Sequence, residues 1–388
     1  MKIAMIGQKG IPTLYGGIER HVEDLSHQLA DKGHDILVYA RNWYTPKAIT
    51  KVGHVRVIHT FTIHTKHLDA IIHTITSTIS AIRQKPDVIH YHGVGPSLMA
   101  WIPRVFAPQI KIVVTTHCLD RYHQKWGVLA RLALRLGEWT AIKFAHSTIV
   151  VSKNLKNYYL NEYQINTNYI PNGTSQIKEY PGSSLIEDEF NLKKDKYVLL
   201  VSRLVRHKGV HYLLDAWQYA RSQYPNLFKE FKLVIVGDST YTDDYVKELK
   251  EDAKDDESIL FTGWQNGKIL EQLYANTTLL VHPSENEGLP ITVLQAMSYG
   301  RSVLLSDIPE HRELITDKKF LFNNASLSSL SDQLIKLMQD KKIRDKAGRV
   351  NREFVNKNFN WDLIAKQTGQ IYANRDKTTI IKDCLASA

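Results

Sequence analysis

Short apolar runs alternate with amphipathic stretches along the first half of this chain. The apolar runs have the length of strands and occupy residues 2–6, 35–39, 87–91, 111–115 and 148–151. Residues 17–32 instead carry apolar side chains at helical spacing, at Ile18, Val22, Leu25 and Leu29. Strands that alternate with helices in this way predict a parallel sheet covered by helices on both faces.

The same rhythm restarts after a polar stretch that is rich in turn residues. Strand-like runs recur at residues 197–201, 232–236, 258–261, 278–281 and 302–306. A chain of 388 residues suits two such domains. We therefore predict an α/β fold with two Rossmann-like domains, 1–180 and 190–358, joined by a linker near 172–195. Residues 360–388 begin with helical spacing, and periodicity does not decide whether they stay with the second domain or return to the first.

Composition narrows the cellular context. The chain is 43% hydrophobic and 23% charged, and its two cysteines are Cys118 and Cys384. Their separation excludes a disulfide framework and a C-x-x-C motif, and it fits a reducing compartment. The first residues lack the features of a signal peptide, and no apolar run is long enough to span a membrane. We expect a cytoplasmic protein.

The net charge of +10 lies entirely in the first 180 residues. These residues hold 21 Lys and Arg against 11 Asp and Glu, together with 13 of the 17 histidines, whereas the rest of the chain holds 29 of each charge. A basic half beside a neutral half indicates an anionic partner: nucleic acid, a membrane or a phosphorylated substrate. Because the tyrosines are dispersed and no recognition module is recognisable, we expect no nucleic-acid partner.

Glycines mark the loop after the first strand. Gly16 and Gly17 stand where the first helix begins, and glycines there let the backbone approach a ligand. The N–H groups at a helix start favour an anion such as a diphosphate. The glycines are spread too widely for the compact G-x-G-x-x-G pattern of dinucleotide enzymes, so a plain turn is an equally good interpretation.

Basic residues follow the first strand of the second domain. Arg203 and Lys208 lie in the sequence VSRLVRHKG at residues 201–209. Ligands of such sheets bind at the carboxyl ends of strands. A bidentate arginine and a mobile lysine at that position therefore suit a diphosphate leaving group better than they suit a solvated loop. Replacing either residue by Ala should weaken nucleotide binding with little change in melting temperature.

A carboxylate, a turn and a helix follow one another within residues 282–300. Glu287 can accept hydrogen bonds from sugar hydroxyls, and the N–H groups of Gly288 and Leu289, before Pro290, can donate to them. Gln295 lies eight residues after Glu287, about two helical turns along, so we expect it to face the same ligand.

Together these segments resemble family 4 glycosyltransferases of the GT-B fold over nearly the whole chain. Members carry a glycine-rich first loop, a G-R-L-x-x-x-K-G-like element and two glutamates separated by seven residues. The matching residues here are Gly16, Gly17, Arg203, Lys208, Glu287 and Gln295. The opening segment and residues 116–127 also resemble the rhamnosyltransferase-like subgroup of bacterial surface-polysaccharide biosynthesis.

The resemblance implies two domains facing across a cleft, and a retaining transfer of a sugar (rhamnosyl or another hexosyl) from a nucleotide-sugar donor to a glycan or lipid-diphosphate-linked acceptor. Arg203 and Lys208 would neutralise the leaving diphosphate, and Glu287 would hold hydroxyls of the donor sugar. His117 would lie beside the sugar, with Asp120 orienting it or shaping its loop. Such catalysis rests on positioning and charge stabilisation. It needs no cofactor or metal, and the sequence contains no D-x-D motif.

Two positions depart from the family pattern. Gln295 replaces the second glutamate, which binds ribose hydroxyls, and an amide accepts a hydrogen bond without charge assistance. Cys118 stands beside His117 where the subgroup usually has glycine. Two other functions stay open at this point: a sugar-nucleotide epimerase of similar architecture, and a catalytically weakened paralogue.

Two further patterns have both a structural and a functional interpretation. His90 and His92 alternate along a strand, and without a third ligand in register we predict core or loop histidines rather than a metal site. Residues 124–146 form a basic, tryptophan-bearing helical stretch. Such a stretch is typical of packing on a sheet or of lying on an anionic membrane. The second interpretation predicts peripheral contact with the inner face of the plasma membrane.

Overall fold

The chain divides into two compact units. The computed structural model describes residues 1–65, 68–119, 127–177, 179–239 and 242–374. Unit 1 comprises Met1–Asn172 and the chain from Trp361 onward, and unit 2 comprises Gly173–Asn360. The C-terminal segment thus belongs to the first unit.

Unit 1 is built on a sheet that has eight strands within the described residues. They are β1 Lys2–Ile6, β2 Asp35–Arg41, β3 Lys51–Val52, β4 Val55–Thr60, β5 Val88–His92, β6 Lys111–Thr116, β7 Ser147–Val150 and β8 Asn168–Tyr169. Their order is β3-β4-β2-β1-β5-β6-β7-β8, and each neighbouring pair is parallel except β3 with β4. The five predicted strands are confirmed with small shifts at their ends, whereas β3, β4 and β8 were not predicted.

Helices cover both faces of this sheet. They are α1 Gly17–Asp31, α2 Leu68–Gln84, α3 Val94–Ser97, α4 Trp101–Phe106, α5 Val128–Lys143 and α6 Lys153–Tyr163. Because side chains alternate along a strand, β1 sends Met5 to one face, where it packs with Val22 of α1. It sends Ile6 to the other face, into a core that includes Ala81 of α2 and Ala141 of α5.

Unit 2 is a second parallel sheet of similar design. Its strands within the described residues are β9 Tyr197–Val201, β10 Lys232–Val236, β11 Ile259–Gly263, β12 Leu279–His282, β13 Val303–Ser306 and β14 Leu321–Phe322. They lie in the order β11-β10-β9-β12-β13-β14, and each neighbouring pair is parallel. The predicted runs that became β9 and β10 match these strands residue for residue.

The helices of unit 2 begin within the segment predicted to be a linker. They are α7 Ser184–Phe190, α8 Val210–Gln223, α9 Pro225–Phe228, α10 Asp243–Asp252, α11 Gly267–Asn276, α12 Ile291–Ser298, α13 Pro309–Arg312, α14 Leu327–Gln339 and α15 Lys341–Asn358. The N–H groups of Leu185 and Ile186 in α7 donate to Gln272 Oε1 of α11 at 3.0 and 3.3 Å. These bonds tie α7 to unit 2, so residues 184–190 are part of the domain.

The last helix, α16 Trp361–Ala373, returns to unit 1. Trp361, Ile364 and Tyr372 enter the core that α1 shares with the sheet. Lys32 of α1 forms an ion pair with Asp362. The sequence left open whether this segment stays with the second domain or returns to the first. Burial of its apolar side chains against α1 places it in unit 1.

The outer face of α5 carries an apolar stripe. Leu132, Leu136 and Trp139 are 58%, 52% and 44% exposed, whereas Leu134 and Ala141 are buried. The helix thus packs on its sheet and leaves the apolar stripe of the predicted 124–146 stretch uncovered. Residues 124–126 lie outside the described part of the chain.

The length of a helix and its apolar content determine whether it can cross a membrane. A transmembrane helix needs about 20 mostly apolar residues. No helix within the described residues is both long enough and apolar enough to cross a membrane.

Candidate functional site

The carboxyl ends of β1, β5 and β6 lie side by side in unit 1, since the three strands are neighbours in the sheet. The glycine-bearing loop follows β1, His92 ends β5, and His117 follows β6. Gly7 has a φ of 121°, and a side chain there would collide with the carbonyl of His92. The first loop therefore needs glycine in order to pack on the end of β5.

Three buried histidines meet at this edge. His117 Nε2 lies 3.3 Å from His92 Nδ1. The ring of His21, from α1, is 4.8 Å from that of His117 between centroids. One ring nitrogen of each histidine lies within 4.8 Å of those of the other two. Asp120, predicted to orient His117 or to shape its loop, lies outside the described residues.

Burial keeps these imidazoles neutral. It lowers the pKa of His21 from 6.5 to about 4, against the nearby Asn172 side chain that raises it. The pKa values of His92 and His117 lie well below 6.5, first because of burial and then because of the neighbouring histidines. At pH 7 the cluster therefore offers uncharged ring nitrogens.

His90 and His92 have different surroundings. His90 is a core histidine as predicted, since Nδ1 lies 2.7 Å from Tyr372 Oη and Nε2 lies 2.7 Å from Thr115 Oγ1. His92 is also buried, as predicted for a core histidine. Its neighbours His21 and His117 come from a helix and a loop, so the alternating register of β5 does not reveal that their ring nitrogens lie close to that of His92.

The first loop is held in shape by protein side chains. Its backbone N–H groups donate to Glu19, Glu23 and Tyr44 at 2.9–3.0 Å. Gly16 has a φ of 109°, and a side chain there would collide with Glu19. At Gly17 an added Cβ would meet no atom of the described residues within 4 Å. Room for a ligand in this loop thus lies at Gly17, where α1 begins.

In unit 2, two loops are fastened together because β9 and β12 are neighbours. After β9 the chain makes a 3-10 turn at Arg206–Lys208, and Gly209 follows with a φ of 68°. A side chain at Gly209 would collide with the Pro283 carbonyl. The N–H of Glu285 donates to the carbonyl of His207 at 2.8 Å. This fixed contact brings the side chains of the two loops together.

The result is a buried ion pair. Lys208 Nζ donates to Glu287 Oε1, and the two side chains are 13% and 9% exposed. His282 Nε2, from the end of β12, lies 2.6 Å from the same oxygen. Burial raises the pKa of Glu287, but the charge of Lys208 and the hydrogen bond from His282 outweigh burial and hold this pKa well below 4.5. Glu287 is therefore an ionised acceptor.

The remaining predicted donor residues, Arg203 and Gln295, form no hydrogen bond or ion pair with Lys208 or Glu287 in the described part of the chain. Arg203 is half-buried, and within the described residues it forms no ion pair. Arg206 points elsewhere, since it pairs with Glu248 and its guanidinium lies 5.0 Å from the Tyr245 ring centroid. Gln295 is half-buried on α12.

The turn between Glu287 and α12 is buried at Gly288, Leu289 and Pro290. Within the described residues, no side chain caps the start of α12. The first N–H groups of a helix lack partners within the helix and carry partial positive charge. An anion can therefore be bound at this helix start.

Sequence analysis gave no role to His282 and His311. His311 Nδ1 lies 2.8 Å from the Ser306 carbonyl oxygen, and its ring centroid is 5.5 Å from that of His282. Burial, followed by the charge of His282, lowers the pKa of His311 to about 3. His311 lies close to His282 because β13 lies beside β12, and this strand order is not visible in the sequence.

Models of two known families match this chain, one on each unit. Residues 15–175 match the family described as Glycosyltransferase Family 4. Residues 184–354 match the family described as Glycosyl transferases group 1.

Individual proteins resemble most or nearly all of the chain. An uncharacterized glycosyltransferase of Methanocaldococcus jannaschii is 24% identical over 396 residues, which cover 96% of this chain and 98% of that protein. The UDP-Gal:alpha-D-GlcNAc-diphosphoundecaprenol alpha-1,3-galactosyltransferase of Escherichia coli is 24% identical over 283 residues, or 71% and 72% of the two chains. The crystal structure of Anabaena HepE with UDP-glucose superposes with a TM-score of 0.77 at 20% identity, covering 96% and 99% of the chains. This last likeness is one of fold.

Proposed function

This chain belongs to the family 4 and group 1 glycosyltransferases and has their GT-B fold, and from this premise we propose that it transfers a sugar, with retention of anomeric configuration, from a nucleoside diphosphate sugar to a glycan or lipid-diphosphate-linked glycan. The observation that carries the proposal is the buried Lys208–Glu287 pair beside the uncapped start of α12. It joins a cation for a phosphate to an ionised acceptor for sugar hydroxyls.

Unit 2 has the charges that a nucleotide-sugar donor requires. Lys208 offers a compact positive charge, and Arg203 offers a guanidinium with no protein carboxylate paired to it among the described residues. The start of α12 adds backbone N–H groups. Glu287 accepts from the donor sugar through charge-assisted hydrogen bonds. Gln295 takes the ribose position through its amide, and Gly288, Leu289 and Pro290 shape the turn between the two.

Unit 1 contributes His117 to the proposed reaction. Because burial holds its pKa well below 6.5, the ring is neutral at pH 7 and serves as a hydrogen-bonding partner of the sugar. A neutral ring with so low a pKa is a poor proton carrier at this pH. We assign the acceptor proton to the departing phosphate, and the electrostatic work to Arg203 and Lys208. Neither step calls for a metal or a cofactor.

A basic and apolar surface of unit 1 suits a membrane-borne acceptor. The helices α2, α4 and α5 share one core and so lie on the same face of the sheet. Their outer sides expose Trp101, Phe106 and Trp139 in addition to the apolar stripe of α5. A cavity of about 380 Å³ between α2 and α4 is lined by Ile79, Ile82, Arg83, Trp101, Ile102 and Phe106.

The charges on this surface have one sign. Arg83, Arg131 and Arg135 are exposed. The two carboxylates of these three helices both point inward: Asp69 pairs with Arg41 at 2.9 Å, and Glu138 accepts from two tyrosine hydroxyls at 2.8 Å. Aromatic side chains together with cations and without exposed acids favour an anionic lipid surface. We therefore propose reversible docking of unit 1 on the anionic face of a membrane.

Donor binding is tested by thermal stabilisation. A ligand that binds the folded state raises its apparent stability. Among UDP-, GDP- and dTDP-sugars, at least one should raise the melting temperature of the wild-type protein, and the Arg203→Ala variant should lose most of that shift. The proposal fails if no nucleotide sugar stabilises the protein, or if the shift persists undiminished in the variant.

A further inference from the structure

The cluster of His21, His92 and His117 has the composition of a transition-metal site. Imidazole nitrogen is a ligand that Zn²⁺ prefers, and three histidines with one open position form a recurrent zinc arrangement. The side chains are 3%, 1% and 8% exposed. They come from α1, β5 and the loop after β6, so the fold holds them together without an ion.

The distances suit a tetrahedral centre. Zinc–nitrogen bonds of about 2.0–2.1 Å place the nitrogens of two ligands about 3.3–3.4 Å apart. His92 Nδ1 and His117 Nε2 are 3.3 Å apart. One ring nitrogen of each of the three histidines lies within 4.8 Å of the others, so a small rotation of the third ring completes the triangle.

The cluster also contains a buried nitrogen that no described residue satisfies. A hydrogen bond satisfies the facing nitrogens of His92 and His117, but His21 Nδ1 is buried and has no hydrogen-bond partner among the described residues. Buried polar atoms usually have one, so such an atom needs an explanation. The side chain of Asn172 lies close enough to His21 to raise its pKa, and polar neighbours of this kind orient metal-binding histidines.

Neighbouring groups distinguish this cluster from the other histidines that could bind a metal ion. His90 uses both ring nitrogens on protein hydroxyls, so it has no nitrogen to offer. In unit 2, His282, Glu287 and His311 also lie close enough to surround an ion. There Lys208 already donates to Glu287, and a cation would have to displace it.

We infer that His21, His92 and His117 bind one divalent ion of the zinc and cobalt type, with water in the fourth position. An ion held there takes a nitrogen of His117, and so, on the proposed function alone, it would compete with the donor sugar. The binding of the ion itself does not depend on that function.

Cobalt titration tests the inference without any measurement of activity. Purified, chelator-treated full-length protein should bind one Co²⁺ per chain with the intense visible absorption of four-coordinate cobalt, and Zn²⁺ should abolish that absorption. His21→Gln and His92→Gln should each weaken binding tenfold or more, and Asn172→Ala should weaken it about 10–100-fold. Two controls should bind as the wild type does: His54→Gln, an exposed histidine of the same unit, and Glu287→Gln in the other cluster.

Two results would overturn the inference. One is the absence of four-coordinate cobalt absorption in the folded wild-type protein. The other is full retention of that absorption in His21→Gln or His92→Gln. If a variant does not fold, X-ray absorption spectroscopy of the zinc-loaded wild type tests the site instead. We expect three imidazole ligands around the zinc, and any other set of protein ligands would contradict the inference.

Discussion

Lys208 shows how one side chain serves both stability and ligand binding. It neutralises the buried Glu287, and its ammonium group lies at the strand end where the donor diphosphate is proposed to bind. Arg203 has only the second of these roles, since it forms no ion pair within the described residues. The two cations, equivalent in the sequence, should therefore respond differently to substitution.

Lys208→Ala should lower the free energy of unfolding by about 3–5 kcal/mol, because it removes the cation that neutralises Glu287 and leaves only the hydrogen bond with His282. This revises the expectation from sequence that neither variant changes stability, which remains our expectation for Arg203→Ala. Unfolding in urea measures the difference, and the double variant Lys208→Ala/Glu287→Gln should recover part of the loss. A Lys208→Ala protein as stable as the wild type would show that the pair is not buried as described.

Gln295→Glu should leave the fold intact and keep or improve affinity for the donor, because a carboxylate accepts from ribose hydroxyls more strongly than an amide does. Calorimetric titration with the stabilising nucleotide measures the effect. A folded variant that binds about tenfold more weakly, or about 1.4 kcal/mol, would mean that Gln295 does not take the ribose position.

Some single elements were predicted completely from the sequence, and others only in part. The run that became β9 was predicted to the residue, since its apolar side chains begin after Lys196 and end before Ser202 and Arg203. The α5 stripe was recognised, but periodicity does not tell which face of a helix meets the sheet, and the exposed face proved to be the apolar one. The return of α16 to α1 depends on contacts between residues more than 300 positions apart, such as Lys32 with Asp362.

Trp361→Ala should destabilise unit 1 by about 3–5 kcal/mol, because a large side chain leaves a packed core. Trp361 is 3% exposed, and its ring lies 5.4 Å from that of His21. Asp362→Ala, next to it on the exposed face, is the matched control and should change stability little. Equal stability of the two variants would contradict the docking of α16.

Reversing two charges on α5 should detach the protein from lipid. Each cation near an anionic surface contributes about 1 kcal/mol, so Arg131→Glu/Arg135→Glu should reduce sedimentation with anionic liposomes by tenfold or more. High salt should release the wild type. The control Lys346→Glu/Arg349→Glu, exposed on α15 of unit 2, makes the same change in net charge. If both double variants sediment as the wild type does, or if the wild type stays in solution at low salt, the membrane proposal is refuted.

At the scale of the whole molecule, alternation of strands and helices was enough to predict two Rossmann-like halves. It was not enough to predict which side chains meet. Glu287 and Lys208 are 79 positions apart in sequence and meet because β9 lies beside β12. His21 joins His92 and His117 because its ring extends from α1 to the ends of β5 and β6. Strand order is set by burial across the whole unit, so these encounters become visible only in the fold.

Buried neutral histidines in both units predict how stability depends on pH. Burial lowers the pKa of His90 and His311 from 6.5 to about 3, and other buried histidines shift in the same direction. Below pH 6.5 these histidines therefore become protonated in the unfolded chain, whereas in the folded chain they stay neutral until the pH approaches their lowered pKa. Each such residue removes about 1.4 kcal/mol of stability per pH unit between pH 6.5 and its folded pKa.

Urea unfolding at pH 7, 6 and 5 measures this loss of stability. We expect the dependence on pH to be shallower in His90→Gln, and to be unchanged in His54→Gln, whose side chain is exposed. Stability that stays constant from pH 7 to pH 5 would contradict burial of these rings in their neutral form.

The measurement that tests the proposed activity most directly is the release of nucleoside diphosphate from the stabilising nucleotide sugar, with the anomeric configuration of the transferred or hydrolysed sugar read by proton NMR. We expect the wild type to release nucleoside diphosphate and to retain the configuration. Glu287→Gln, which keeps the shape of the side chain and removes its charge, should slow the release about 100-fold. Conversion of the donor into an epimeric nucleotide sugar without release, or a Glu287→Gln protein as fast as the wild type, would contradict the proposed transfer.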